Sequence, residues 1–351
     1  MQCTQQEERM FETQRAWEES ARRLSRRRLL GAAAAAALPL LGAPGRASAQ
    51  PGFPSKPVHL VVPFAAGGAT DVLARLLAKS MEGAFGQPVI VENRVGAAGV
   101  LAASYVAKAP PDGQVALFGG VGTNALLEYT QPTLPYKPAR DFVDAGNFCY
   151  VDFVMAVAAD SRHRSLRDLL DDARANPGKV SYMSAGPMGT LHIAQEALWK
   201  RAGVTLNHVP YKGESHVVPD LVAGRVDLAL MTLSLTRQLA QEGKVRMLAT
   251  LAPERLRAAP DLPTVAEQGF PGFAMPTWNG VFLPRQTPAE AVRAFNDAIN
   301  AALRDPAVVR RIEDMGLSPS ELNTPAQHAQ FMENERRRWR TMVAESGVQV
   351  Q

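Results

Sequence analysis

A strand, a glycine turn and a helix follow one another between Val58 and Phe85, and this unit constrains the fold more than any other stretch. Val58 to Phe64 is almost continuously apolar, which over so few residues predicts a strand buried on both faces. From Asp71 onward apolar residues recur at three- and four-residue spacing, which predicts an amphipathic helix with Thr70 as its N-cap. Such a unit is typical of a parallel α/β sheet.

The turn of this unit contains two adjacent glycines, Gly67 and Gly68, which allow the backbone to approach a ligand closely. Unpaired N–H groups and the positive end of the helix dipole converge at such a turn, which suits an anion. A carboxylate is the expected anion, because the sequence there matches neither a P-loop nor the dinucleotide-binding glycine pattern. An ordinary turn without a ligand is the alternative that the pattern leaves open.

The first 49 residues are expected to be a removable export signal. Arg26 to Arg28 precede an apolar run from Gly31 to Leu41, and the small residues Ala47-Ser48-Ala49 follow as a cleavage site. Paired arginines before an alanine-rich core indicate the twin-arginine route. Met10 is an alternative translation start to Met1, because the segment from Gln2 to Glu19 is polar and foreign to such leaders.

Charge and cysteine content argue against two classes of function. The net charge is +4, but residues 1–49 hold eight Arg and five Glu, which leaves +1 for the rest. No nucleic-acid partner is expected, because that class needs a concentrated basic face. Cys3 lies in the leader and only Cys149 remains, so neither an internal disulfide nor a cysteine-rich metal site is expected. No cofactor and no metal are predicted.

Two domains are expected, because 351 residues exceed one typical hydrophobic core. Further strands at 88–91 and 115–118 continue the first parallel sheet, and the polar loop from Gly119 to Asn124 lies at its carboxyl edge, where ligands bind. The apolar segment 151–158 is predicted to cross into the second domain, after an irregular stretch at 132–146.

The second domain repeats the opening theme, with a strand, a glycine turn and a helix at 180–201. Residues 273–283 are predicted to return the chain to the first domain, which the last helices then cover. Thr264, Thr287 and Thr324 each precede an acidic or amide residue by three positions, and this spacing predicts three helix starts.

Eight motifs occur in a fixed order across residues 54–288. They are PSKP (54–57), PFAAGGATDVLAR (63–75), VENRVGAAG (91–99), AKAPPDG (107–113), HVPYKG (208–213), AGRVDL (223–228), LPTVAEQGFPGF (262–273) and WNGVFLPRQTP (278–288). In these motifs the chain resembles the periplasmic solute-binding receptors of tripartite tricarboxylate transporters, also called the Bordetella uptake gene family.

The resemblance implies an α/β type II periplasmic-binding-protein fold, in which two α/β lobes are joined by two crossing strands with a ligand cleft between them. The expected division is the signal at 1–49, lobe 1 at 50–152 and 274–351, and lobe 2 at 153–273. The implied function is that of a monomeric periplasmic receptor, which captures a small organic carboxylate and delivers it to the membrane permease of the transporter.

The resemblance also implies ligand contacts from loops of both lobes. In lobe 1 these are Phe64, Ala65, Ala66, Gly67, Gly68, Thr70, Asp71, Thr123 and Asn124. In lobe 2 and the crossing strands they are Ala185, Gly186, Gly189, Thr190, His192, Tyr211, Thr232 and Trp278. Trp278 is equally compatible with a core position. Met231 and Thr232 replace an Asp-Asn pair that the family often carries, which argues against an amino-acid ligand.

Two other functions are considered beside the transport receptor. An exported sensor that reports a solute to a signalling system would have the same fold, and the sequence does not separate the two. A hydrolytic enzyme is not expected, because no nucleophile elbow or zinc-protease motif is present and the histidines are scattered. His192 is more typical of a hydrogen-bonded structural group than of a general base.

Overall fold

The computed structural model describes residues 53–349, which form a mixed α/β fold of the predicted class. The strands are β1 (Val58–Val62), β2 (Val89–Asn93), β3 (Val115–Gly120), β4 (Phe142–Val151), β5 (Phe153–Ala158), β6 (Ser181–Ser184), β7 (Asn207–Pro210), β8 (Ala229–Thr232), β9 (Val245–Thr250), β10 (Thr277–Pro284) and β11 (Ser318–Pro319). The helices are α1 (Ala69–Phe85), α2 (Val100–Ala107), α3 (Leu127–Thr130), α4 (Pro138–Asp141), α5 (Leu166–Ala175), α6 (Thr190–Ala202), α7 (Glu214–Val222), α8 (Leu233–Gln241), α9 (Ala289–Arg304), α10 (Pro306–Asp314) and α11 (Pro325–Ser346).

The first sheet has six strands in the order β11-β4-β10-β3-β1-β2. β1 pairs in parallel with both β2 and β3, as the spacing of the first three strands predicts. β10 pairs antiparallel with β3 and β4, so the sheet is mixed rather than wholly parallel. The carboxyl ends of β1 and β3 lie at one edge, and the loops that follow these strands therefore meet there.

β4 corrects the expectation of an irregular stretch at 132–146, since the strand begins at Phe142. Polar residues in this strand interrupt the apolar pattern from which a strand would be predicted. Asn147 is nevertheless buried, and the carbonyl of Ala145 accepts a hydrogen bond from Asn296 of α9 at 2.8 Å. Gly280 of β10 approaches so closely that a Cβ there would lie 2.6 Å from the Gly146 carbonyl oxygen. A strand that is stabilised by residues so distant in the chain cannot be detected from local sequence periodicity.

The second lobe is built on two smaller sheets. β5 lies between β8 and β9 and is antiparallel to both, and β6 pairs in parallel with β7. The chain leaves the first sheet at Asp152, whose carbonyl accepts from the Leu233 N–H at 2.8 Å and whose carboxylate accepts from Ser318 at 2.6 Å. It returns to the first sheet with β10. Two crossing segments therefore join the lobes, as predicted.

The last helix, α11, differs from its expected role as a cover for the first lobe alone. It packs against β4 of the first sheet and also along α6 of the second lobe. Arg201 near the end of α6 pairs with Glu345 at 2.8 Å. Because α11 contacts both lobes, it connects them in addition to the crossing segments.

The three predicted helix starts have different outcomes. Thr324 forms the full capping box with Gln327 and opens α11. Thr264 and Glu267 make the same reciprocal bonds, at 3.0 and 2.8 Å, but a turn follows instead of a helix. The Thr287 hydroxyl is buried without a partner in the described part of the chain, and α9 begins two residues later. Local capping chemistry therefore does not suffice to predict a helix.

The predicted export signal and both candidate start residues lie outside the described residues. Within 53–349, no helix combines the length and the apolar character that a bilayer crossing requires. Cys149 is a buried free thiol of β4.

Candidate functional site

The first turn joins β1 to α1 and is fixed by the carboxylate of Asp71. The Gly67 N–H and the Arg75 Nε–H both donate to Asp71 Oδ2 at 2.9 Å, and the Asn93 amide donates to Oδ1 at 2.8 Å. The same Asn93 amide donates to the Phe64 carbonyl at 3.0 Å. Asp71 thus ties the turn, the first helical turn and the end of β2 into one unit.

These partners explain both the ionisation and the role of Asp71. The hydrogen bond from Arg75, with smaller contributions from the Gly67 and Asn93 donors, lowers the pKa of the carboxyl group to about 2 against the opposing effect of burial. Asp71 is only 1% exposed. We conclude that Asp71, an expected ligand contact, is buried beneath the turn and stabilises its backbone conformation.

The backbone of the first turn corrects two details. The N-cap of α1 is Gly68, without a side-chain cap, and Thr70 is the second residue of the helix. The Gly67 N–H is used by Asp71, and the Gly68 N–H donates to the Ala65 carbonyl at 3.3 Å. The N–H groups of Ala65 and Ala66 have no acceptor in the described structure and lie in an exposed loop. They are the amides available to a ligand, together with those of the first helical turn.

The second turn, between β6 and α6, repeats this geometry. Gly189 is the N-cap of α6, with φ and ψ of −77° and 169° against −73° and 163° at Gly68. The residue before each N-cap glycine is left-handed, with φ of +61° at Met188 and +81° at Gly67. The Met188 N–H donates to the Nδ1 of His192 at 3.1 Å, as the Gly67 N–H does to Asp71.

Each turn therefore aims the start of a helix at solvent and locks one amide onto the third helical residue. The locking acceptor is a carboxylate in the first turn and an imidazole in the second. Because Met188 carries a side chain in a left-handed conformation, it stores strain of about 1–2 kcal/mol that glycine would avoid. The shared turn is visible in the sequence only as a glycine followed three residues later by a hydrogen-bond acceptor.

His192 also stacks on His208 of β7, with ring centroids 4.0 Å apart. His208 lies between His192 and Tyr182, and its Nε2 is 2.6 Å from the Ser184 hydroxyl. Burial lowers the pKa of both imidazoles, and it lowers that of His208 to about 4. For His208, the neighbouring His192 lowers the pKa slightly further, whereas Glu196 opposes the shift. The pair is neutral at pH 7 and supports the second turn.

A pH dependence of stability is expected from His208. Above pH 6.5 the imidazole is neutral in the folded and unfolded states; as the pH falls toward 4, the unfolded state binds the proton first, so folding loses stability. The free energy of unfolding of the wild type, minus that of His208→Gln, should fall by up to about 1.4 kcal/mol per pH unit in this window. Denaturant unfolding of both proteins at several pH values measures this difference. The titration of the buried carboxyl groups contributes equally to both proteins and therefore cancels. A constant difference would contradict it.

The third loop follows β3 and packs inward. Thr123 and Asn124 are 2% and 1% exposed, and the Thr123 hydroxyl donates to Asn124 Oδ1 at 2.6 Å. The Tyr136 hydroxyl donates to the Thr123 carbonyl at 2.7 Å, and a π-helical turn spans Gly122–Leu126. In this conformation Thr123 and Asn124, both expected ligand contacts, hold the loop against the sheet.

The remaining expected contacts are divided between the cleft side and the core. The Tyr211 N–H donates to the Ser184 carbonyl at 2.9 Å and so extends the pairing of β7 with β6 by one residue. Glu214 accepts from the N–H and the hydroxyl of Thr232 at 2.7 and 3.1 Å, which places a carboxylate beside one of the two residues that replace the expected Asp-Asn pair. The ring of Trp278 is fully buried and packs against Phe282 and Phe331, which is the core position that the sequence left open.

A cavity of about 240 Å³ lies where the second turn meets the two crossing strands. We call it the cleft-floor cavity, and its lining residues are Phe153, Ala185, Gly186, Gly189, Thr190, Leu191 and Thr277. Four of the seven were expected ligand contacts. Phe153, Leu191 and Thr277 were not, although Phe153 and Thr277 lie within the predicted crossing segments and Leu191 directly follows the second turn.

A larger cavity of about 400 Å³ lies beside the start of β9, against Asp261 and Pro263. It is shallow and contains none of the expected contacts, so the cleft-floor cavity is the better candidate. In the described part of the chain, no cluster of three His, Cys, Asp or Glu residues has a metal-binding arrangement.

Comparison with known proteins identifies relatives along nearly the whole chain. A family model described as tripartite tricarboxylate transporter family receptor matches residues 73–348. A protein from a tcbD–tcbE intergenic region of a Pseudomonas species is 39% identical over 323 residues, covering 92% of this chain and 95% of the relative.

Solved structures agree with this match. Rpa4515 of R. palustris, determined with adipate, is 34% identical with a TM-score of 0.73, covering 84% of this chain and 98% of that one. MatC from Rhodopseudomonas palustris, determined with bound malate, is 32% identical with a TM-score of 0.70, covering 83% of this chain and 100% of the other.

Proposed function

This chain belongs to the tripartite tricarboxylate transporter receptor family, and on that premise we propose that it binds a small organic carboxylate in the cleft between its lobes. The closed, loaded form then docks on the membrane permease subunits of such a transporter. Lobe 1 comprises 50–152 and 274–351, lobe 2 comprises 153–273, and the protein acts in the periplasm as a monomer after the twin-arginine signal is removed near Ala49.

The pair of matching turns carries this proposal. Gly68 and Gly189 each begin a helix with amides that no group in residues 53–349 accepts, and the two helices belong to different lobes. A helix start stabilises an anion through its unpaired N–H groups and its dipole, without any charged side chain. A ligand carboxylate held by these amides would be enclosed when the crossing segments bend and the lobes close.

The ligands of the similar proteins support the carboxylate class. Rpa4515 was determined with adipate and MatC with malate, both of which are carboxylates. Members of the family are receptors, and we propose a binding role without catalysis for this chain also.

Two measurements test the proposal. Purified protein should show a saturable rise in melting temperature with at least one small carboxylate, because a ligand that binds only the folded state stabilises it. Deletion of the gene should abolish uptake of that carboxylate by the cell. Binding of no carboxylate, even by protein unfolded and refolded to remove a retained ligand, would refute the carboxylate receptor. Binding with unchanged uptake would refute the transport role.

A further inference from the structure

We propose that the ligand of this receptor is a monocarboxylate with a short apolar chain or ring, and that the apolar part occupies the cleft-floor cavity. This inference rests on the proposed function, because it takes the carboxylate-binding cleft as given. The cavity walls, the ion pairs of the nearby cations and the size of the space all favour such a ligand.

The cavity walls are apolar and uncharged. Phe153 and Leu191 supply the large side chains, and Ala185 adds a methyl group. The polar side chains of the lining are the two hydroxyls of Thr190 and Thr277. An ionised second carboxylate enclosed here would lose its hydration without gaining a counter-charge, which is unfavourable by several kcal/mol.

One hydroxyl is placed to complete the binding of a single carboxylate. The Oγ1 of Thr277 is buried and has no hydrogen-bond partner among residues 53–349. Thr277 begins β10 and lines the same cavity as Gly189 and Thr190, where the amides of α6 start. A carboxylate at this helix start would accept from those amides, and a rotation of the Thr277 side chain would add its hydroxyl as a further donor.

The arginines near the turns are already engaged. Arg75 pairs with Asp71 at 2.9 Å. Arg94 pairs with Glu92 at 2.6 Å and lies 3.5 Å above the ring of Tyr105. Each of these two arginine charges is already paired with a carboxylate of the chain, for which a second ligand carboxylate would have to compete.

Lys212 is the cation that needs a direct test. It is exposed, follows Tyr211 at the end of β7, and forms no ion pair in the described structure. A second ligand carboxylate would pair with Lys212 if it reached this end of β7. We instead expect that the charge of Lys212 does not affect binding.

The volume agrees with an apolar group of modest size. About 240 Å³ corresponds to roughly eight water molecules at their liquid volume of about 30 Å³ each. A six-carbon chain or a single aromatic ring fits this space, with its carboxylate at the turn. A tricarboxylate of similar size would place charge against Phe153 or Leu191.

The test compares acids that match in length and differ in one carboxylate. Calorimetry with hexanoate against adipate, and with benzoate against terephthalate, should show at least one monoacid binding tenfold or more tighter than its diacid; the pair that responds tells a chain from a ring. Tighter binding of either diacid than of both monoacids would overturn the inference and leave the carboxylate receptor standing. Binding of none of these acids, nor of malate or citrate, would count against the proposed function itself.

Variants locate the apolar part. Phe153→Ala should weaken binding of the preferred monoacid by roughly tenfold or more, since an apolar wall is removed. Leu191→Gln tests the same cavity from another wall if Phe153→Ala fails to fold, as judged by circular dichroism. Leu322→Ala, at an exposed leucine between β11 and α11, is the matched control and should bind normally. Lys212→Gln should change affinity less than twofold, and a tenfold loss would indicate a second ligand carboxylate and contradict the inference.

Discussion

Replacing Asp71 with asparagine is expected to weaken ligand binding by roughly tenfold or more, and to lower the free energy of unfolding by about 1–3 kcal/mol. The carboxylate accepts from Gly67 and Arg75 at one oxygen and from Asn93 at the other. An asparagine amide placed in either orientation sets a donor against a donor. The first turn then loses its lock, and the exposed amides of Ala65 and Ala66 lose their fixed positions.

Calorimetry and denaturant unfolding measure the two effects, and Asp168→Asn provides a matched control. Asp168 accepts from the Arg164 N–H at 2.9 Å, in the same relation to the start of α5 that Asp71 has to α1. It is exposed on α5, outside the cleft-floor cavity and both turns, so its replacement should leave affinity unchanged. Equal affinity of Asp71→Asn and the wild type would show that the locked first turn does not contribute to binding.

The sequence predicts the two strand–turn–helix units well because their signals are local. The apolar run of β1, the adjacent glycines and the spacing of α1 all lie within thirty residues. The family resemblance then identifies the two-lobe fold and places candidate ligand contacts in both turns. Four of these contacts line the cleft-floor cavity.

The roles of individual side chains depend on partners that the sequence does not reveal. From the sequence, Asp71 is predicted to be a ligand contact. In the structure it accepts a hydrogen bond from Asn93, which is distant in sequence. Thr123 reads as a cleft hydroxyl until Tyr136 and Asn124 are seen to hold it inward. A loop residue that fixes a binding turn and one that touches the ligand have the same polar character, so only the geometry separates them.

The sequence predicts that the second turn repeats the first, but it does not show how closely the two backbones agree. Periodicity shows a glycine before each helix, but the left-handed residue that precedes it is Gly67 in one turn and Met188 in the other. The acceptor at the third helical position is an acid in one and a histidine in the other. The two turns therefore share a backbone conformation and a locked amide with little residue identity, and the dihedral angles and hydrogen bonds show how close the agreement is.

Replacement of Trp278 is the second change for which we expect a large effect, and its outcome shows whether this side chain packs in the core or contacts the ligand. The ring is fully buried against Phe282 and Phe331, with centroid separations of 5.9 and 5.7 Å. Its indole N–H donates to Glu335 Oε2 at 2.9 Å, and burial raises the pKa of that carboxyl group. Trp278→Ala should therefore lower the free energy of unfolding by about 3–5 kcal/mol.

A conservative pair of variants separates the indole hydrogen bond from the volume of the ring. Trp278→Phe leaves buried Glu335 without its indole donor, whereas Trp199→Phe removes a buried indole N–H that has no partner in the described structure. Trp278→Phe should thus be the more destabilising of the two, by about 1–3 kcal/mol in denaturant unfolding. Ligand affinity of folded Trp278→Phe should equal that of the wild type in calorimetry. A large loss of ligand affinity with little loss of stability would instead indicate that Trp278 contacts the ligand. A residue that acts only through the core should not weaken binding while the protein remains stably folded.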